Sequence, residues 1–348
     1  KHNAPTTPLS NRTTEIAQFM NAYEKYQFGK KGAILFTGEY HSGMSYLIEN
    51  ILNINDFGEV LKIEKPSMNF GDSERLIERA FKNASGQNLS IDEIINKLPR
   101  NSVVLVEDIE LWWTRTEKGT LTLAHFNALI QKYRHKVLFL LSCNTHSYQL
   151  LRKVVSIDAN LLETITLSPL KIQDIRIAIL SRHRSGGLQY EWKGKHEKEL
   201  GKRKENQIIK RIASVSEGNI GACFYTWLGN IESVQNNTLI YSTIEQQELP
   251  NVLTIEQDNI LLQILLHKEL SLKRLEKIYK FENNEQLFNN VESLYRMGMP
   301  LASRLEVTHL NEFFDDCDTY FPQIDNKDWL EVARKDFPRF SFVTYDKK

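Results

Sequence analysis

Hydrophobic runs of strand length alternate with stretches whose apolar residues recur at helical spacing. Ala33-Ile34-Leu35-Phe36-Thr37 reads as a strand, and Tyr46 to Leu52 continues it as an amphipathic helix. Ahead of that strand, a polar lead over residues 4–14 gives way to a helix marked by Ile16, Phe19, Met20, Tyr23 and Tyr26. Val60 to Ile63 predicts a second strand, Ser73 to Asn83 a helix capped by Ser73, and Asp92 to Leu98 another helix. Val103 to Val106, after Ser102, is an unbroken aliphatic run, the signature of a buried parallel strand, and Val137 to Ser142 reads as a further strand. Ile165 to Leu170 reads as a last strand with its exit loop, and Ile172 to Ser181 as an amphipathic helix. Strands alternating with helices predict an α/β fold, a parallel sheet flanked by helices.

Downstream the pattern becomes helical. Lys193 to Arg211 is rich in Lys and Arg and reads as a basic helix with a solvated face. Three further helices are predicted over Thr254 to His267, Ser271 to Phe281 and Asn284 to Met297, after which Gly298 breaks the pattern. Pro300 to Leu310 alternates like a hairpin strand. The tail, with Tyr320, Phe321, Trp329, Phe337, Phe340 and Phe342, reads as a segment that packs on a partner or folds back.

Composition narrows the classes. A chain of 348 residues accommodates two or three domains, and 44 basic residues balance 44 acidic ones, so no global field points to nucleic acid. Cys143, Cys223 and Cys317 are far apart without a C-x-x-C pair, which argues against a disulfide framework or a zinc site. No apolar run is long enough to span a bilayer and no signal peptide opens the chain, so it is expected to be soluble and cytoplasmic.

The chemistry is concentrated after the first strand. Gly38-Glu39-Tyr40-His41-Ser42-Gly43-Met44-Ser45, followed by Tyr46, has the G-x-x-x-x-G-K-[ST] spacing of a phosphate-binding loop, with methionine in the lysine position. Such a loop offers backbone amides to phosphates, and the Ser45 hydroxyl suits a magnesium ion. Met44 keeps lysine's unbranched stem and lacks its ammonium. The second signal is Glu107-Asp108 at the end of an aliphatic strand, where Glu107 would hold the magnesium shell and Asp108 polarise water. The third is Asn144, an amide placed after a strand where it would align water or sense a phosphate.

Taken in order, these motifs over residues 15–240 resemble an AAA+ ATPase core and its helical lid. The resemblance matches Gly38 to Ser45 with Walker A, Glu107 and Asp108 with Walker B, and Asn144 with sensor 1. Arg152 falls in the region of an arginine finger. Ser216-Glu217-Gly218-Asn219-Ile220-Gly221-Ala222 resembles a sensor 2 segment with Gly221 in the arginine's place. The three later helices resemble an appended winged helix. The implied organisation is a core over residues 1–170, a lid over 171–250, a winged-helix-like unit over 251–312 and a tail over 313–348. Asn283, Asn284, Gln286, Asn289 and Asn290 on its third helix are polar rather than basic, so protein contact is favoured over DNA. The resemblance implies ATP or ADP with Mg2+ as ligand, held by Ser45 and Glu107, and other protein subunits or a homo-oligomer as partners. Without the lysine and the arginine, hydrolysis is expected to be weak or absent. The alternatives are an ATPase completed by an arginine in trans, or by His41, and a nucleic-acid binder using the lid's basic helix and the winged helix.

Overall fold

The computed structural model describes residues 12–64, 73–115, 118–245, 253–268, 270, 272–279 and 284–296. Its centre is a five-stranded parallel sheet. Helix α1 (Thr13–Gln27) leads into β1 (Ala33–Gly38), α2 (Met44–Ile54), β2 (Val60–Ile63), α3 (Ser73–Ser85), α4 (Ile91–Lys97) and β3 (Val103–Val106). Next come α5 (Leu121–Tyr133), β4 (Leu138–Asn144), α6 (Thr145–Val154) and β5 (Leu161–Thr166). The strand order β2-β3-β4-β1-β5 is that of a P-loop-type α/β sheet, with the glycine loop on β1, between β4 and β5. Parallel strands direct all their C-terminal ends to one edge, where α/β proteins place their ligands.

The aliphatic runs are continuous because both faces of the sheet are covered. Ile34 and Phe36, Val103 and Leu105, and Leu138 and Leu140 pack with Phe19, Leu47 and Ile51 of α1 and α2. The alternate positions Ala33 and Leu35, Val104 and Val106, and Phe139 and Leu141 pack with Phe81, Ile95, Phe126 and Ile130 on the other face. This period of two is the strand geometry itself. Burying each such aliphatic side chain contributes roughly 1.5–3 kcal/mol, so the sheet is the rigid part of the molecule. Helix α4 starts at a capping box, in which Ser90 and Glu93 each bond the other's backbone.

After β5 the chain builds a smaller unit from α7 (Ile172–Ser185), β6 (Gln189–Trp192), β7 (Lys195–His196), α8 (Lys202–Val215), α9 (Ile220–Gly229), β8 (Ser233–Gln235) and β9 (Thr238–Tyr241). The stretch expected to be helical throughout therefore also holds a four-stranded sheet, β7-β6-β9-β8. The basic helix is confined to α8. Residues 193–199 turn instead through a short hairpin and a 3-10 turn. Tyr190, Trp227 and Tyr241 form an aromatic centre here, with Trp227 and Tyr241 ring centroids 4.5 Å apart. The last described elements are α10 (Ile255–His267), α11 (Leu272–Tyr279) and α12 (Asn284–Arg296), joined by Ile260, Leu275, Leu287 and Leu294. The expected strand over Pro300 to Leu310, the aromatic tail and Cys317 lie outside the described residues. Cys143 and Cys223 are buried free thiols, and no helix among the described residues is long and apolar enough to cross a membrane.

Candidate nucleotide site

The loop leaves β1 at Gly38 and enters α2 through Gly43, whose φ of 88° lies in the left-handed region that glycine adopts without strain. No side chain caps α2. Its first-turn amides have no acceptors within the helix, and its dipole favours an anion there. Met44 is half-buried with its stem against the α1–α2 face of the core, and Ser45 is exposed.

Three successive carbonyls of the loop are held by donors from elsewhere in the chain. Asn219 Nδ2 donates to Tyr40 O at 2.8 Å, the Gly221 amide to His41 O at 3.0 Å, and Arg12 Nη2 to Ser42 O at 2.8 Å. These contacts take the loop's carbonyls and fix its curvature. Asn219 also caps α9, its Oδ1 accepting from the Ala222 amide at 3.2 Å, so one side chain starts the helix and anchors the loop. The Gly221 contact depends on the missing side chain. A Cβ at this position would lie 2.2 Å from His41 Cβ, so no arginine fits while α9 is seated on the loop.

Arg12 is buried, and no periodic signal marks it in the sequence. It ion-pairs with Glu15 at 2.9 Å and also donates to Ser168 O, whose own amide donates to Glu15 at 3.2 Å. The start of α1, the loop and the exit from β5 are thereby tied into one network.

The acid strand lies two strands from β1. Glu107 ion-pairs with Lys62 of β2 at 3.5 Å, and Asp108 with Lys268 at 2.5 Å. Asp108 has left-handed backbone angles, φ 53° and ψ 58°, and its amide donates to Ser142 Oγ of β4 at 2.8 Å. Asn144 stands directly beside Gly38 in the β1–β4 register. Its Oδ1 caps α6 by accepting from the His146 and Ser147 amides, while its buried Nδ2 has no partner among the described residues. The expected loop, acid pair and amide therefore share one edge of the sheet. Arg152 pairs with Asp158 at 2.9 Å.

Glu110, two residues past the acid pair, is fully buried in the 3-10 turn Ile109–Trp112 and accepts from the Asn144 amide at 3.2 Å. Burial, together with the neighbouring Asp108 charge, pushes its carboxyl up to about 7. The same surroundings raise the Cys143 thiol well above its ordinary value, burial being the larger cause, which keeps it protonated and unreactive.

The end of α10 closes over this edge. Leu265 O accepts from Tyr40 Oη at 2.8 Å, and Leu266 O from Ser147 Oγ at 2.7 Å. Buried His267 lies against Trp113, ring centroids 4.5 Å apart, and Arg274 donates to the carbonyls of Leu111 and Trp113. Burial, with Arg274 nearby, lowers the His267 pKa to about 3, so the ring is neutral. The residues suit a magnesium polyphosphate in shape, with an uncapped helix start, an exposed serine and two carboxylates. They fall short in charge, because position 44 carries methionine and position 221 has no side chain.

Against known proteins, the dihydrofolate reductase family model matches residues 249–347, a range lying mostly outside the described residues and described as helices α10 to α12 where it is. None of the curated proteins compared matches the chain. Among solved structures, it is similar to the Walker-type ATPase PABY2304 of Pyrococcus abyssi, at 13% identity and TM-score 0.39 over 62% of this chain and 67% of that one. It is also similar to the FIGL-1 AAA domain in complex with ADP, at 11% identity and TM-score 0.40 over 64% of this chain and 73% of that one.

Proposed function

We propose that the chain is a degenerate AAA+-type module that binds ATP or ADP weakly with Mg2+, hydrolyses it slowly or not at all, and serves as a structural or regulatory part of a protein assembly. The seat of Gly221 on His41 carries this reading. Where an arginine would neutralise phosphate charge, the backbone itself closes on the loop, and a Cβ 2.2 Å from His41 Cβ leaves no space for one. Met44 supports it, since its side chain packs against the core and brings no charge. In this reading the backbone of residues 38–46 receives the phosphates, Ser45 and Glu107 hold the metal, and Asp108 and Asn144 retain the places of catalytic groups. Residues 1–170 form the core, 171–250 the lid and 251–312 a winged-helix-like unit that contacts other subunits.

Titration calorimetry with Mg-ATP tests the reading. A charge-assisted hydrogen bond to phosphate contributes about 1.5–3 kcal/mol, so Met44→Lys is expected to tighten weak binding at least about tenfold. A Met44→Lys chain that binds no tighter than the parent would show that charge at position 44 is not what the site lacks.

A further inference from the structure

A cation at this edge lies away from the position that the loop spacing gives it. We propose that Lys268 is a substitute for the missing loop lysine: carried on the C-terminal cap of α10 and parked on Asp108, it moves to the terminal phosphates of a bound nucleoside di- or triphosphate. The inference rests on the nucleotide-binding reading and adds the residue that serves it.

Position is the first argument. Leu265, one helical turn before Lys268, accepts from loop residue Tyr40 at 2.8 Å, which fixes the end of α10 against the loop. Asp108, where the ammonium rests, is bonded to Ser142 of β4, and Ser142 lies beside Phe36 of β1 in the register. Lysine has a flexible four-carbon stem, and this side chain is 31% exposed, so it is not locked by packing.

Backbone conformation is the second. Lys268 has φ 61° and ψ −48°, a strained combination for a residue with a Cβ and one that glycine would satisfy without cost. Lysine stands there nonetheless, with its ammonium 2.5 Å from the carboxylate. The third argument is the orphaned polar atoms nearby. Ser42, 8% exposed, has a buried Oγ without a partner among the described residues, facing Gly38 across the loop. Asn144, 1% exposed and beside Gly38, has an unpartnered Nδ2 among the described residues. Both suit a polar ligand at the loop.

The exchange balances charge. In the resting chain Asp108 pairs with Lys268. With ligand, Lys268 faces the phosphates and Asp108 the water beside them, so the ammonium has an anionic partner in both states. The exchange also links the ligand to α10, because the residue that answers the phosphate belongs to that helix.

Calorimetric titration of the full chain with Mg-ADP and Mg-ATP tests this. Lys268→Met is expected to lower affinity at least about tenfold, Lys268→Arg to hold it near the parent value, and Lys268→Met with Met44→Lys to restore it. Thermal melts of each chain, with Lys268→Gln as a second neutral variant, confirm that the proteins compared are folded. Unchanged or tighter binding by both neutral variants would overturn the inference alone, identifying the lysine as a plug on Asp108. No binding by the parent chain at millimolar nucleotide would overturn the inference and the nucleotide-binding reading together.

Discussion

Arg12→Met is expected to cost about 3–5 kcal/mol of folding stability, the penalty for removing one partner of a buried ion pair. Arg12 and Glu15 are 7% and 6% exposed, and their pair at 2.9 Å lies between the loop and the exit from β5. Methionine preserves most of the stem's packing, so the loss isolates the guanidinium. Without it, Glu15 is a buried carboxylate with no cation, and the carbonyls of Ser42 and Ser168 lose the donors they have now. Against a typical total of about 5–15 kcal/mol, such a loss is severe. Urea unfolding provides the measurement, and adding Glu15→Gln to Arg12→Met is expected to recover part of the loss by removing the stranded charge. A loss below about 1 kcal/mol would mean that solvent reaches the pair and that the network does not hold the loop.

Glu110→Gln is expected to stabilise the protein by about 3 kcal/mol at pH 8 and to change the shape of its pH profile. The folded chain holds the Glu110 proton to about 7, whereas the ordinary value is 4.5. Between those values the folded state binds more protons than the unfolded one, so stability falls as pH rises through the window, by about 1.4 kcal/mol for each pH step of one. His267 acts in the opposite sense. Its pKa is lowered from 6.5 to about 3, so stability falls as pH drops from 6.5 toward 3. The two slopes oppose each other between about 4.5 and 6.5, and the parent chain is expected to show a plateau there. Glutamine retains an acceptor for the Asn144 amide and has no proton to lose. The variant should therefore gain stability with rising pH up to about 6.5 and keep it above about 7. Parallel profiles for the two chains, measured by denaturant unfolding across that range, would contradict a protonated Glu110.

Much of this sheet and its loop edge was legible because strand and loop signals are local. The aliphatic runs mark the central strands to within a few residues, and the spacing from Gly38 to Ser45 locates the turn between β1 and α2. The strand expected from Ile165 begins earlier, at Leu161, because Glu163 and Thr164 interrupt its apolar pattern at an edge where those side chains remain half-exposed. Helix α5 was not among the expected elements although Leu123, Phe126, Ile130 and Tyr133 recur at helical spacing, and α6 starts on Asn144 with no loop to announce it. The second sheet escaped because β7 has only two residues and β8 is exposed throughout, so neither shows alternation. What no periodicity carries is the long-range polar network. Arg12 sits in a polar lead, and its partners Ser42 and Ser168 are 30 and 156 residues away. Gly221 reads in the sequence as a lost arginine, and its role as a point of close approach emerges only with His41 beside it.

Steady-state phosphate release from Mg-ATP, compared between the purified chain and Glu107→Gln over a range of protein concentrations, tests most directly whether a binding scaffold has been kept while its catalysis was lost. The account predicts turnover in the parent at or barely above that of the Glu107→Gln chain, with no rise as protein concentration increases. Turnover that saturates with ATP and disappears in Glu107→Gln would contradict it, and a dependence on protein concentration would show that a neighbouring subunit supplies the missing charge.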